Sequence, residues 1–188
     1  MNQEKDIEKG VSLEQSIVKI VITELVDRGF IKKEINTFER TKEILKKYKR
    51  IRNSTKGIDK QIKNLEKDLE SISGLKPGMK RNSFTAASLG INPTDYDGIY
   101  SKINELRTSK VKINTFLDYV KSLVDDNADV EDKDLFDKLY FTANFSVQDI
   151  CDETGCESST IYRRINKVVN RIYIELFPDS YLDELCNK

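Results

Sequence analysis

The chain has 188 residues, 34% of them charged and 38% hydrophobic; 32 basic side chains balance 32 acidic ones, and there is no histidine. That length holds one or two domains with a core. The charge content excludes a chain built of membrane spans, and the lack of histidine removes the usual proton shuttle near neutral pH, so no enzyme is expected.

A formal charge of zero is unusual for a DNA-binding chain, but phosphates feel the local field, and segregated charges satisfy that. Cys151, Cys156 and Cys186 show no Cys-x-x-Cys spacing. Cys151 and Cys156 read as small packing residues rather than metal ligands, and the odd, unpatterned count suits a reducing cytoplasm. No cofactor is expected, because the Gly-Lys-Ser of a phosphate loop is missing.

Met1 to Gly10 is charged and lacks the apolar run of a signal peptide. Ile17 to Val26 is the most apolar early run, but Lys19 and Glu24 interrupt it and it is too short to cross a bilayer. Segment 1–35 therefore reads as an N-terminal helix in a non-membrane protein. Ser12 and Gln15 form a capping-box pair ahead of the stripe Leu13, Ile17, Ile20, Val21 and Leu25, and Gly29 is the expected stop.

A long helix is predicted from Asn36 to Ser73. Ile44, Tyr48, Ile51, Thr55, Ile58, Ile62, Leu65, Leu69 and Ile72 alternate steps of four and three, the seam of a coiled coil. Thr55 and Gly57 weaken its middle, so a bend or break near Asn53 to Gly57 is expected. Residues 74–93 form a linker with two of the three prolines. Its Lys76, Lys80 and Arg81 make either a plain basic loop or an arm for phosphates.

A second long helix is predicted from Thr94 to Asp125, with the seam Tyr96, Ile99, Ile103, Leu106, Lys110, Ile113, Leu117, Val120 and Val124. Each seam would be roughly 40 Å long. Two seams of equal span flanking one loop suggest an antiparallel, coiled-coil-like helical hairpin over 36–125. A register symmetric about the loop pairs Ile72 with Tyr96, Leu65 with Ile103 and Ile44 with Val124, and puts Lys110 opposite Ile58. Pairing of each seam with its copy in a homodimer is the alternative.

Residues 125–137 carry seven acids against Lys133, read as helix capping and solubility. Leu135, Phe136, Leu139 and Tyr140 then form a packing helix of a domain over 126–188. Ser146 is placed to cap a short helix with Asp149 as its capping-box partner, and Val147 and Ile150 give that helix an inward face. Gly155 suits a left-handed helix end. Glu157, Ser158 or Ser159 can cap the next helix, whose apolar set is Ile161, Ile165, Val168, Val169 and Ile172. No acid occurs from Ser158 to Tyr173, where Arg163, Arg164, Lys167 and Arg171 are found. Such a pair reads as a helix-turn-helix whose second helix enters the major groove of double-stranded DNA. Arg163, Arg164, Lys167 and Arg171 would hold phosphates or guanines; Ser158, Ser159, Thr160 and Tyr162 would reach base edges. Beyond it, Ile174, Phe177, Tyr181, Leu182 and Leu185 are too apolar for a free tail, with Pro178 breaking the helix.

The stretch Asp134 to Arg171 resembles region four of bacterial sigma factors and, more closely, phage regulators of the RinA and ArpU type. Leu139-Tyr140, Ser146, Ile150, Gly155 and Thr160-Ile161 carry the likeness, with Cys151 where alanine is usual and Thr154 where leucine is usual. Leu45-Lys-Lys-Tyr48-Lys is similar to the opening of the same regulators. The resemblance implies a transcriptional activator of late or packaging genes. The expected fold is all-α: an N-terminal helix, the long hairpin and a C-terminal tri-helical helix-turn-helix domain. The hairpin would serve dimerisation or contact with RNA polymerase. A small terminase-like packaging subunit and a helical protein-interaction module without DNA binding are the alternatives.

Overall fold

A computed structural model describes residues 13–73, 84–142 and 145–186. Among these residues the fold is all helical. The order is α1 (Leu13–Asp27), α2 (Thr37–Ser73), α3 (Phe84–Ser88), α4 (Tyr96–Asn127), α5 (Val130–Phe136), a π-helical turn (Asp137–Phe141), α6 (Val147–Thr154), α7 (Ser158–Leu176) and α8 (Pro178–Cys186). No helix among them is long and apolar enough to cross a membrane. Ser12 and the linker cations Lys76, Lys80 and Arg81 lie outside the described residues.

Helix boundaries follow local chemistry. α1 closes in a Schellman motif: Gly29 takes φ +70°, its N–H reaches the Val26 carbonyl at 2.9 Å, and the Phe30 N–H reaches Leu25 at 2.8 Å. Asn36 caps α2, its Oδ1 accepting the Glu39 N–H at 2.8 Å. Asp95 does the same for α4 through the Gly98 N–H at 2.9 Å. The expected linker contains one short helix, α3, ended by Gly90 at φ +73°.

The residues group into two units, one of residues 1–51 and 116–188, the other Arg52–Thr115. These boundaries cut through the expected hairpin segment rather than between the three segments read from the sequence. In the second unit, Ile58, Ile62 and Leu65 of α2 and Ile99, Ile103, Leu106 and Ile113 of α4 are buried. The helices run antiparallel there, because Arg107 pairs with Glu66 and Lys110 with Asp59, each at 2.6 Å. Lys110 therefore falls one residue from its expected position opposite Ile58. Thr55 is buried and satisfies its hydroxyl on the Arg52 carbonyl at 2.7 Å, within its own helix.

Three expectations change here. Of the bend or break expected at Asn53–Gly57 the break is absent: α2 is one helix there, since one glycine costs only about 1 kcal/mol against alanine and the seam continues on both sides. Tyr96 is 50% exposed, because it is the first residue of α4 and the seam closes only from Ile99. Ile20 is likewise 50% exposed: the buried stripe of α1 is Val18, Val21, Ile22 and Leu25.

The first unit buries Ile44, Leu45, Tyr48 and Ile51 of α2 and Phe116, Leu117, Val120 and Val124 of α4 among the shorter helices. Edge-to-face rings join its elements, Tyr48 with Phe141 at 4.6 Å and Phe38 with Tyr173 at 5.9 Å. α7 is its central element, with Ile161, Ile165, Val168, Val169, Ile172, Tyr173 and Leu176 buried along one side. Phe177, half-buried, and Tyr181 lie 6.4 and 6.1 Å from the Tyr173 ring, whereas Leu182 and Leu185 of α8 stay exposed.

Candidate nucleic-acid interface

α6 and α7 are joined by the three residues Gly155, Cys156 and Glu157. α6 begins in a reciprocal capping box. The Asp149 N–H donates to Ser146 Oγ at 3.2 Å, and the Ser146 N–H donates to Asp149 Oδ2 at 2.6 Å. That backbone N–H, then the Ser146 hydroxyl, hold the Asp149 carboxyl below the usual carboxylate range. The helix ends at Gly155, φ +68°, whose N–H reaches the Cys151 carbonyl at 2.8 Å. A side chain at that φ would be strained, so the turn depends on glycine. Ile150 is buried, and Val147, Cys151 and Cys156 are half-buried.

Glu157 stands at the N-cap of α7; its side chain accepts no backbone N–H of the first turn, but its Oε2 accepts the Ser159 hydroxyl at 3.3 Å. Ser158 and Ser159 are exposed there, next to backbone N–H groups that can take an anion. Thr160 is half-buried, Tyr162 is 54% exposed, and Arg163 is exposed with no ion-pair partner among the described residues. These residues follow one another on the first two turns of α7.

Of the remaining basic residues expected at this face, Arg164 and Arg171 are held by the protein, and Lys167 is only loosely paired. Arg164 is half-buried; its Nε donates to Asp132 Oδ1 at 2.6 Å and its Nη2 lies 3.3 Å from Glu131. That bond, more than the opposing burial, raises the arginine pKa further. Arg171 donates to the Asn127 carbonyl at 2.7 Å, closing the C-terminal end of α4. Asn127 in turn donates to Glu175 at 2.6 Å. Lys167 is exposed and 3.8 Å from Asp129. Sequence reasoning treated residues 125–137 as capping and solubility, and so missed Asp132. The signal was its spacing. Asp132, Leu135 and Phe136 share the inward face of α5, and all three are buried.

On the far side of α6, Lys138 bridges Asp134 at 2.9 Å and Glu153 at 2.6 Å. The Tyr140 ring lies 5.3 Å from that of Phe136, tilted by 57°, and burial, with a smaller contribution from Tyr162, pushes its hydroxyl pKa up. α5 and α6 both pack on α7, so its position is fixed from two directions.

Comparison with protein-family models, characterised proteins and solved structures finds no match to this chain.

Proposed function

We propose that α6 and α7 form a DNA-binding helix-turn-helix and that the protein is a sequence-specific transcription regulator, of the phage late-gene type its sequence resembles. The observation that carries this reading is the exposed start of α7, acid-free after its N-cap Glu157, with Ser158, Tyr162 and Arg163 available to a ligand and Ser159 on the Glu157 carboxylate. Small polar residues ahead of a free arginine suit base edges and phosphates. Lys167 adds a phosphate contact, since an exposed pair at 3.8 Å is easily exchanged. Arg164 and Arg171 support the reading only indirectly, by fixing α7 against α5 and α4. The hairpin is left for dimerisation or contact with RNA polymerase.

The test is binding of the full chain to a fragment library of the source genome at several salt concentrations. Enrichment of a few intergenic sites, with log affinity falling against log salt, is the expected result. Salt-sensitive binding without enrichment would point to a packaging subunit. Absence of binding at low salt would overturn the proposal and favour a protein-interaction module.

A further inference from the structure

We infer that the cavity bounded by α1, the start of α2 and the α7–α8 junction binds a small amphipathic monocarboxylate. The cavity measures about 410 Å³, within the usual range for small-molecule sites of roughly 300–1,000 Å³. Ile22, Leu176 and Phe177 make an apolar wall; Lys19, Thr37 and Arg40 supply polar groups.

Arg40 sets the ligand chemistry. It is half-buried, and no carboxylate among the described residues pairs with it. Its Nη2 donates to the carbonyls of Lys33 and Ile35 at 3.2 and 3.4 Å, both long for hydrogen bonds. Its Nε is buried without an acceptor. A buried N–H without an acceptor is costly and marks the guanidinium as incompletely satisfied, and a carboxylate matches its fork in shape and charge. Nε has no open surface, so seating the ligand exchanges the long carbonyl bonds for the carboxylate. The cavity also borders the first turn of the 37-residue α2, where the helix dipole favours an anion.

The charge count gives the ligand's valence. Lys19, Arg40 and Asp179 line the cavity, two positive charges against one negative, so the lining carries a net single positive charge. One carboxylate neutralises it. The apolar wall then selects a hydrocarbon or aromatic body, and excludes free inorganic phosphate as the preferred ligand. None of this depends on DNA binding by α7.

The experiment titrates the full chain with octanoate and with its neutral twin octanamide, followed by calorimetry and by NMR of labelled protein. Octanoate is expected to bind saturably at one site, and octanamide roughly tenfold more weakly or worse, as loss of a charge-assisted hydrogen bond requires. Arg40→Gln should weaken octanoate by about the same factor. Thr23→Trp, at the exposed rim, should abolish binding by filling the cavity. Circular dichroism checks that both variants fold; if Arg40→Gln does not, the octanamide and Thr23→Trp arms still decide. No saturable octanoate binding up to about 10 mM, equal affinity for the amide, or binding that survives Thr23→Trp overturns the inference.

Discussion

Lys110–Asp59 and Arg164–Asp132 are ion pairs of the same length, 2.6 Å, in different units of the molecule. In the first, the side chains keep 32% and 45% of their exposure; in the second, 27% and 7%. Distance therefore does not rank them. An exposed pair gains little because water screens it and holding two long side chains costs entropy. A carboxylate as buried as Asp132 has no such alternative solvent, so its partner is needed for the local fold. Charge near α7 thus divides into a structural part and an available part, which a residue count cannot separate.

The largest expected effect breaks the buried pair. Removing one partner of a buried pair typically costs about 3–5 kcal/mol, and the partial exposure of Arg164 lowers this to about 2–3 kcal/mol for Arg164→Ala. A urea titration should show a lower midpoint at unchanged slope. Asp132→Ala should cost less, because the freed arginine can reach water or Glu131, 3.3 Å away. A loss below about 1 kcal/mol for Arg164→Ala, the scale of a surface pair, would erase the difference between the two regions.

The neighbouring arginine sharpens the contrast. Arg163→Ala should leave the urea midpoint within about 0.5 kcal/mol of the parent. DNA affinity should fall by about 1–3 kcal/mol, read from titrations on an enriched site. Stability and affinity then separate across two consecutive residues of one helix. A folded Arg163→Ala variant with full affinity would remove that residue from the proposed interface. Combining Arg163→Ala with Arg164→Ala would be a poor test, since the second change strands Asp132.

Much of this layout is legible in the sequence because helices announce their ends and their inward faces. Asn36 and the alternating seam place α2, and Ser146, Asp149 and Gly155 place α6 and its turn. The equal seams place Lys110 within one residue of its observed partner position. Pattern alone does not tell which polar side chains are buried. Asp132 sits in a run of acids that looks uniformly solvated; its spacing from Leu135 and Phe136 points to the inward face, but the partner that accounts for its burial comes 32 residues later. The contact of Arg171 is hidden for a similar reason: its acceptor is a backbone carbonyl, which every residue has.

The capping box gives an intermediate effect. Ser146→Ala should cost about 1 kcal/mol, read from urea unfolding. The Asp149 carboxyl is held below its ordinary pKa by the Ser146 N–H and hydroxyl, so its stabilisation is present above the ordinary carboxylate range. It is lost as pH falls through the depressed folded value. A pH series below about 4 should therefore show Asp149→Asn losing less stability with acid than the parent. Parallel pH curves would separate the cap from any electrostatic role.

The smallest effect belongs to the more exposed pair, that of the second unit. Lys110→Ala should cost about 0.2–1 kcal/mol, and less as salt is raised. Lys110→Leu completes the apolar repeat and should be neutral or slightly stabilising, since the lysine contributes little energy where it stands. Its value would instead be in specifying the pairing. Polar groups in a seam fix register and partner number at a cost in stability. Sedimentation of Lys110→Leu should then show a mixture of association states. A single species identical to the parent, with equal or greater stability, would leave the pair with neither an energetic nor a specifying role, and register would rest on the buried Ile and Leu layers alone.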